Sequence, residues 1–234
     1  MRNILACLLS AWMALTIGFA AAAEGQDKPL EKGKPVEATG EDQAKPPEAA
    51  PSAAVAPPEV VLYLSDLPGS ALSEFDFWSS ATSPGGKMVG TQNTGDKLNP
   101  PPEDDPHVIF KVKVQSGVPY RCWIHMKVGA PKGVSQANKL YVQFSQAVDR
   151  ANRDVLRPGT GSYLTAQGPT QPGWKWVGCD VAGSKPSDSL IYFRTSGEIT
   201  VRVQAGMEGV GFDQFVLSPA QFLEKPPSEA VVKK

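Results

Sequence analysis

Apolar and polar residues alternate with a period of two in several short segments of the chain. From Val108 to Val114 every second residue is apolar, and the positions between are Ile109, Lys111 and Lys113. This alternation is typical of strands that have one face in a core and the other in water. Together with shorter apolar runs, it predicts strands at 59–64, 108–114, 120–128, 140–144, 174–180, 189–194, 199–204 and 212–217.

Helical periodicity is missing from the same region, since no long segment has an apolar stripe with a period of 3.6 residues. About eight short strands in one domain predict an all-β fold, an antiparallel β-sandwich. Ser116-Gly117 and Ser196-Gly197 each separate two predicted strands. We expect tight hairpins there, with glycine supplying the positive φ.

The first residues have the pattern of a secretory signal. Arg2 is positive, Ile4 to Phe19 is an apolar run, and Ala20 to Ala23 offers small residues for cleavage. We therefore predict that residues 1–23 are a signal peptide; the alternative is an uncleaved anchor. No other apolar run approaches the ~20 residues that span a bilayer, so we expect an exported protein at the periplasm, the cell surface or outside the cell, with no membrane span after cleavage.

Composition divides the remainder of the chain. Residues 24–58 contain seven prolines and no aromatic residue. Because such a segment buries too little apolar surface to offset its ordering entropy, it predicts a disordered linker. Every aromatic residue outside the signal lies within 59–223, which we assign to the β-sandwich. The tail 224–234 is predicted to be disordered like the linker.

Net charge argues against a nucleic-acid binder, and the motif content argues against the enzyme classes that use a phosphate loop or a serine nucleophile elbow. Lys plus Arg is 23 and Asp plus Glu is 24, so the net charge is -1 and a nucleic-acid partner is not expected. The sequence has no Gly-rich phosphate loop and no Gly-x-Ser-x-Gly elbow. Cys122 and His125 are spaced like zinc ligands, but they lie on opposite faces of a predicted strand. The acidic run 103–105 is interpreted as a solvated loop, with a cation site as the alternative.

Two cysteines, Cys122 and Cys179, remain after the predicted signal is removed. An even number of cysteines in an exported protein is compatible with a disulfide bond. In the chain-entropy model such a bond would stabilise the fold by about 4 kcal/mol. The alternative is a pair of free buried thiols that act as small hydrophobes. The sequence leaves this choice open.

The polar side of the predicted strands is rich in aromatic residues. The outward positions are Arg121, Trp123, His125, Lys127, Lys139, Tyr141, Gln143, Trp174 and Trp176. An aromatic ring matches the apolar C–H face of a sugar, while amides and cations match its hydroxyl rim. This pattern indicates a carbohydrate-binding face. The alternative is that a loop such as 79–106 covers the aromatics and buries them as a second small core.

Seven short blocks follow one another in a particular order across residues 59–223. They are Val-Leu-Tyr (61–63), Pro-Tyr-Arg-x-Trp-Ile (119–124), Tyr-Val-Gln-Phe-Ser (141–145), Gly-Trp-x-Trp (173–176), Ile-Tyr-Phe (191–193), Ile-Thr-Val-Arg-Val-Gln (199–204) and Phe-Asp-Gln-Phe-Val-Leu-Ser-Pro (212–219). In this order they resemble a galactose-binding-like jelly-roll module, similar to the carbohydrate-binding modules of exported bacterial proteins. The resemblance implies a jelly-roll sandwich and is less specific for the ligand.

The resemblance also implies a structural calcium ion, and we expect no other cofactor. Relatives that contain calcium hold it between an acidic residue after the first strand and an Asp that opens the last strand. The matching residues here are Asp66 and Asp213. Strand parity points Asp213 inward, where a carboxylate needs a cation or several hydrogen-bond donors. The alternative is an Asp that accepts backbone N–H groups at the start of the strand.

We interpret the chain as an exported, monomeric, non-catalytic module whose partner is a glycan or polysaccharide. The expected stacking residues are Trp123, Trp174 and Trp176, and the expected polar contacts are His125, Asn138, Tyr141 and Gln143. Relative to the module, His125 replaces a usual Arg, and Gly206-Met207 replaces Arg-Glu. One alternative is a structural or protein-interaction module of the cell envelope; a less favoured one is a polysaccharide lyase or hydrolase.

Overall fold

A computed structural model describes residues 57–94, 96–128, 138–168 and 173–228. The predicted signal peptide, nearly all of the predicted linker and the end of the tail lie outside the described residues. In the described part, the chain forms thirteen strands and no helix long and apolar enough to cross a membrane. The strands are β1 (Val60–Tyr63), β2 (Leu72–Ser73), β3 (Asp76–Ser79), β4 (Lys87–Gly90), β5 (His107–Val114), β6 (Arg121–Val128), β7 (Lys139–Phe144), β8 (Ala147–Val148), β9 (Leu164–Gln167), β10 (Gly173–Asp180), β11 (Tyr192–Phe193), β12 (Gly197–Ala205) and β13 (Gly211–Ser218).

Two antiparallel sheets share the strand β10. The first sheet runs β10-β6-β13, with β1 and β4 both pairing with β13, and β3 at its edge beyond β4. The second sheet runs β2-β5-β12-β7-β9-β10. Residues Gly173 to Gly178 pair with β6, whereas Cys179 and Asp180 pair with β9. The strand therefore leaves one sheet and enters the other, which closes one side of the sandwich.

The core lies between the inner faces of the two sheets. The alternation in β5 buries Val108, Phe110, Val112 and Val114 and exposes the residues between. From β5, Phe110 meets Phe215 of β13 edge to face, with 5.0 Å between ring centroids. This contact joins the two sheets, and the predicted all-β antiparallel sandwich is confirmed.

The two hairpins predicted at Ser-Gly pairs are wrong. Gly117 has the expected positive φ, but its turn carries the chain from β5 in the second sheet to β6 in the first. Likewise β11 pairs with β8 and not with β12, which follows it. The turns lie side by side, and the Ser116 N–H donates to Ser196 Oγ at 2.9 Å. In both cases the strands before and after the turn pair with other strands and not with each other.

Candidate ligand-binding cleft

The seven residues predicted to form one carbohydrate-binding face lie on two different sheets. In the first sheet, Trp123 and His125 lie on β6, beside Trp174 and Trp176 on β10. In the second sheet, Tyr141 and Gln143 lie on β7, and Asn138 directly precedes that strand. Of the seven, Tyr141 lines a cleft of about 410 Å³ on the second sheet.

The exposure expected for Trp123 is wrong. This side chain is 7% exposed and packs with Val216 and Phe222. Its indole N–H donates to the Phe222 carbonyl at 2.7 Å, and the Phe222 N–H donates to Ser218 Oγ at 2.7 Å. The segment after β13 thus folds back over the ring. The result is a second small core, which this segment covers at Trp123, while Thr82 of the loop 79–106 bonds Trp174.

His125 is also buried, where the sequence led us to expect a ligand contact. Its ring stacks on Trp174 with 4.8 Å between centroids and 11° between planes, and lies tilted against Trp176 at 4.9 Å. The Trp174 indole N–H donates to Thr82 Oγ1 at 3.0 Å. Both tryptophans are half-buried. Both indole rings therefore pack against the His125 imidazole. The indole N–H of Trp174 is already bonded within the protein.

The residues predicted to hold calcium are placed differently from one another. Asp213 is fully buried at a β-bulge in β13, and its carboxylate lies 2.7 Å from Nδ1 of His125. Asp66 is exposed in the single helical turn Leu64–Asp66. No group of three or more His, Cys, Asp or Glu that could hold a metal occurs in the described ranges. Calcium takes six to eight oxygen ligands, so these residues alone do not provide the set.

A cleft on the outer face of the second sheet contains two tyrosines, and we call it the tyrosine cleft. It has a volume of about 410 Å³. Tyr141 and Tyr163 meet edge to face in it, with 4.8 Å between ring centroids and 61° between planes. The lining residues are Lys139, Tyr141, Tyr163, Thr165, Gln167, Gly178, Asp180, Val181, Ala182, Gly183 and Ser184. The cleft therefore combines aromatic rings with amide, hydroxyl and charged groups.

Strand register brings the walls of this cleft together. Tyr141 of β7 pairs with Thr165 of β9, and Lys139 pairs with Gln167. Because alternate residues of a strand share a face, all four side chains lie on the same side of the sheet. Gly206 leaves room for them, since a Cβ there would lie 2.9 Å from both the Tyr141 ring and the Lys139 stem. The glycine that replaces a usual Arg is thus part of the cleft's shape.

Two predicted polar-contact residues support the cleft from below. Asn138 donates to the Gly168 carbonyl at 2.7 Å and accepts from the Gln167 amide at 2.7 Å. Gln143 is 1% exposed, and its Nε2 contacts the carbonyls of Arg157, Thr160 and Ser162 at 2.8–3.0 Å. Both amides are buried and bond the loops on either side of β9, so they do not lie on the surface where direct ligand contacts were predicted. Gln143 fixes the loop that leads into Tyr163.

The electrostatics of the cleft come from one ion pair, the cation of Lys139 and two phenols. The carboxylate of Asp180 lies 2.7 Å from the buried guanidinium of Arg121, which also donates to the Cys179 carbonyl at 2.9 Å. Burial raises the pKa of Tyr141, and the neighbouring Tyr163 raises it further. The Tyr141 phenol therefore stays neutral near pH 7. Among the described residues, neither tyrosine hydroxyl has a hydrogen-bond partner, so both are available to a ligand.

A second depression of about 470 Å³ adjoins the tyrosine cleft and shares Tyr163, Val181 and Ala182 with it. The rest of its wall is mainly apolar, with two carboxylates at Asp149 and Asp188. The sequence analysis missed β9, which is only four residues long. Its signal was the alternation of Tyr163, Thr165 and Gln167 with Leu164 and Ala166.

No protein-family model and no curated protein matches the chain. Among solved structures it is similar to the GH26-CBM35 β-(1,4)-mannanase of Podospora anserina, at 13% identity over 73% of this chain and 29% of that chain, with a TM-score of 0.43. It is also similar to the carbohydrate-binding module CBM6cm-2 of Cellvibrio mixtus lichenase 5A (13% identity, 69% and 98% coverage, TM-score 0.41). A family 35 carbohydrate-binding module from Clostridium thermocellum is similar too (11%, 68% and 98%, 0.35). Likeness of this size assigns no ligand to this chain.

Proposed function

We propose that this chain is an exported module that binds carbohydrate in the tyrosine cleft and catalyses no reaction. The observation that carries the proposal is the Tyr141–Tyr163 pair, whose hydroxyls have no partner in the described part of the chain and which lies within a polar rim. The expected location is the periplasm, the cell surface or the medium. We place the binding site in the tyrosine cleft and not on the three tryptophans, because Trp123 is covered and His125 packs against the other two rings.

The tyrosine cleft fits a sugar on both of its chemical sides. A pyranose ring presents apolar C–H groups on its face, and the half-buried Tyr163 offers a ring against which they can pack. The hydroxyl groups of the sugar would meet Thr165 and Gln167 of β9 and Lys139 of β7. A few polar groups around aromatic walls is the usual composition of a small-molecule site. Open sites of this kind bind with Kd values from about millimolar to micromolar.

The carboxylates of Asp180 and Asp149 support binding without catalysis. Glycoside hydrolysis needs two carboxyl groups, one of which is a proton donor with a raised pKa. Among the residues that the structure describes, Asp180 is the sole carboxylate lining the tyrosine cleft, and it is paired with Arg121. In the adjoining depression, hydrogen bonds from the backbone and side chain of Arg153 lower the pKa of Asp149. Asp149 therefore stays ionised and is unsuited to donate a proton.

The adjoining depression suggests that the ligand is a chain of sugars. Because Tyr163 lines both spaces, a sugar in the tyrosine cleft can extend past this ring into the second, more apolar space. We therefore expect affinity to increase from monosaccharide to short oligosaccharide. Equal affinity for the two would confine the ligand to the tyrosine cleft alone.

Binding is tested by screening the full chain on a glycan array and titrating the retained glycan. We expect Tyr163→Ala to weaken binding by about tenfold, or 1.4 kcal/mol. Tyr192→Ala is the matched control, since Tyr192 is also half-buried but lies in β11 and does not line the cleft. Retention of no glycan by the wild type, or equal affinities for the two variants, would reject the proposal.

A second candidate function, a protein-interaction module of the cell envelope, is favoured by the edge strand β3. Within the described ranges this strand pairs on one side only, with β4, and it carries Phe77 and Trp78 at 36% and 43% exposure. Exposed apolar groups on a strand edge are features of protein-binding surfaces. A cross-linking or pull-down experiment on envelope extract with Trp78→Ser as the control variant distinguishes the two candidates. Loss of a partner in this variant, with no glycan bound by the wild type, would favour protein binding.

A further inference from the structure

We propose that Cys122 and Cys179 are joined by a disulfide bond when the chain folds in an oxidising compartment, and that the bond forms during folding and not afterwards. The sequence left the choice between a bridge and two free thiols open. The positions of the two side chains, at the point where β10 changes sheets, favour the bridge.

The strands bring the two cysteines close together. In the β6–β10 pairing, Gly178 faces Trp123. Cys122 and Cys179 are the residues next to this pair, where β10 passes from β6 to its pairing with β9. The two sulfur atoms are 3.2 Å apart as free thiols. Bond formation therefore needs a small side-chain movement and no rearrangement of the strands.

Burial explains why the bond must form early. Both cysteines are completely inaccessible to solvent in the folded chain. Burial, followed by the neighbouring Cys179, raises the pKa of the Cys122 thiol well above its ordinary value. The thiolate is the species that attacks a disulfide, so the folded dithiol reacts slowly with an external oxidant. Once formed, the bond is protected from reductants by the same burial.

The reaction is an ordinary thiol–disulfide exchange. One thiolate attacks an external disulfide, such as glutathione disulfide, and forms a mixed disulfide. The second cysteine then displaces the external thiol and completes the bridge. The two cysteines together lose two protons and two electrons, and the external disulfide is reduced to two thiols. The bridge would anchor Cys179 directly between Gly178 and Asp180, which both line the tyrosine cleft.

The experiment refolds the full chain with glutathione disulfide or with a reductant, blocks free thiols under denaturing conditions, and maps the tryptic peptides by mass spectrometry. Trypsin cleaves after Arg121 and Lys175, so the peptides that begin at Cys122 and Trp176 report on this pair and are separate from Cys7. We expect these peptides to be joined, with the loss of two hydrogen atoms, after oxidative refolding. We expect the reduced sample to melt about 10 °C lower.

Two further arms make the result decisive. The Cys122→Ala, Cys179→Ala double variant should melt at the same temperature in both media, because it has no bond to lose. When glutathione disulfide is added only after the reduced wild type has folded, both thiols should remain unbridged for much longer than oxidative refolding takes. Complete blocking of both cysteines after oxidative refolding would overturn the bridge. Equally fast bridging of the folded protein would overturn its formation during folding.

Discussion

Gly206 gives the sharpest test of the tyrosine cleft. In Gly206→Ala, the new Cβ would lie 2.9 Å from the Tyr141 ring and 2.9 Å from the Lys139 stem. Carbon atoms pack at about 3.5–4.0 Å, so the ring must move by about 0.6–1.1 Å. The lysine stem moves easily, but the tyrosine ring is buried and in contact with Tyr163. We therefore expect the ring to shift within the cleft, at a cost of about 1–2 kcal/mol in stability.

The assay compares glycan affinity and thermal unfolding of this variant with those of Gly69→Ala. A Cβ at Gly69 meets nothing within 4 Å, so this exposed glycine is a matched control. Gly206→Ala should lose about tenfold in affinity, or 1.4 kcal/mol, and Gly69→Ala should bind like the wild type. Unchanged affinity in a folded Gly206→Ala variant would show that Tyr141 does not shape the binding site.

Three further variants or conditions test the surrounding structure. In Gly178→Ala the new Cβ would clash with the guanidinium of Arg121 and displace this group from the partly exposed Asp180. We expect the free energy of unfolding, measured with denaturant, to fall by about 2 kcal/mol. An unchanged value would contradict the importance of the ion pair. Trp123→Ala should cost about 3–5 kcal/mol in the same assay and leave glycan affinity unchanged, whereas selective loss of binding would restore Trp123 to the site. Because the pKa of Asp149 is lowered in the folded chain, its contribution to stability should be complete above the ordinary pKa of 3.8 and disappear as the pH falls through the lower folded value. The measurement is acid unfolding of the wild type and of Asp149→Asn. Unfolding of both at the same pH would contradict this expectation.

The fold was predictable because strand alternation is a local property. The burial of β5 follows its sequence residue by residue, and β12 and β13 lie within two residues of their predicted bounds. Pairing is not local in the same way. The pairs Ser116-Gly117 and Ser196-Gly197 have the residues of a hairpin turn, but which strand pairs with which depends on partners far away in the chain. The residues of each turn therefore predicted that the chain turns there, but they did not predict which strands pair.

The candidate site shows the same division. Tyr141 was found because its strand alternates clearly, and Tyr163 was missed because β9 is too short to show a strong pattern. Trp123 has the outward parity expected of it, but Phe222, almost a hundred residues later, covers its ring. Gln143 also has the expected parity and bonds a loop that comes back over it. Alternation therefore identified the outer side of a strand, and later parts of the chain decided whether that side met solvent.

The passage of β10 between the sheets has a mechanical consequence. Most sandwiches are held together only by side chains across the core, so their two layers are separate hydrogen-bonded units. Here a continuous ladder of backbone hydrogen bonds runs around one side through Gly178, Cys179 and Asp180. The layers cannot hinge apart along that side without breaking the ladder, so local opening has to start at the opposite margin, where β2 and β3 end the two sheets.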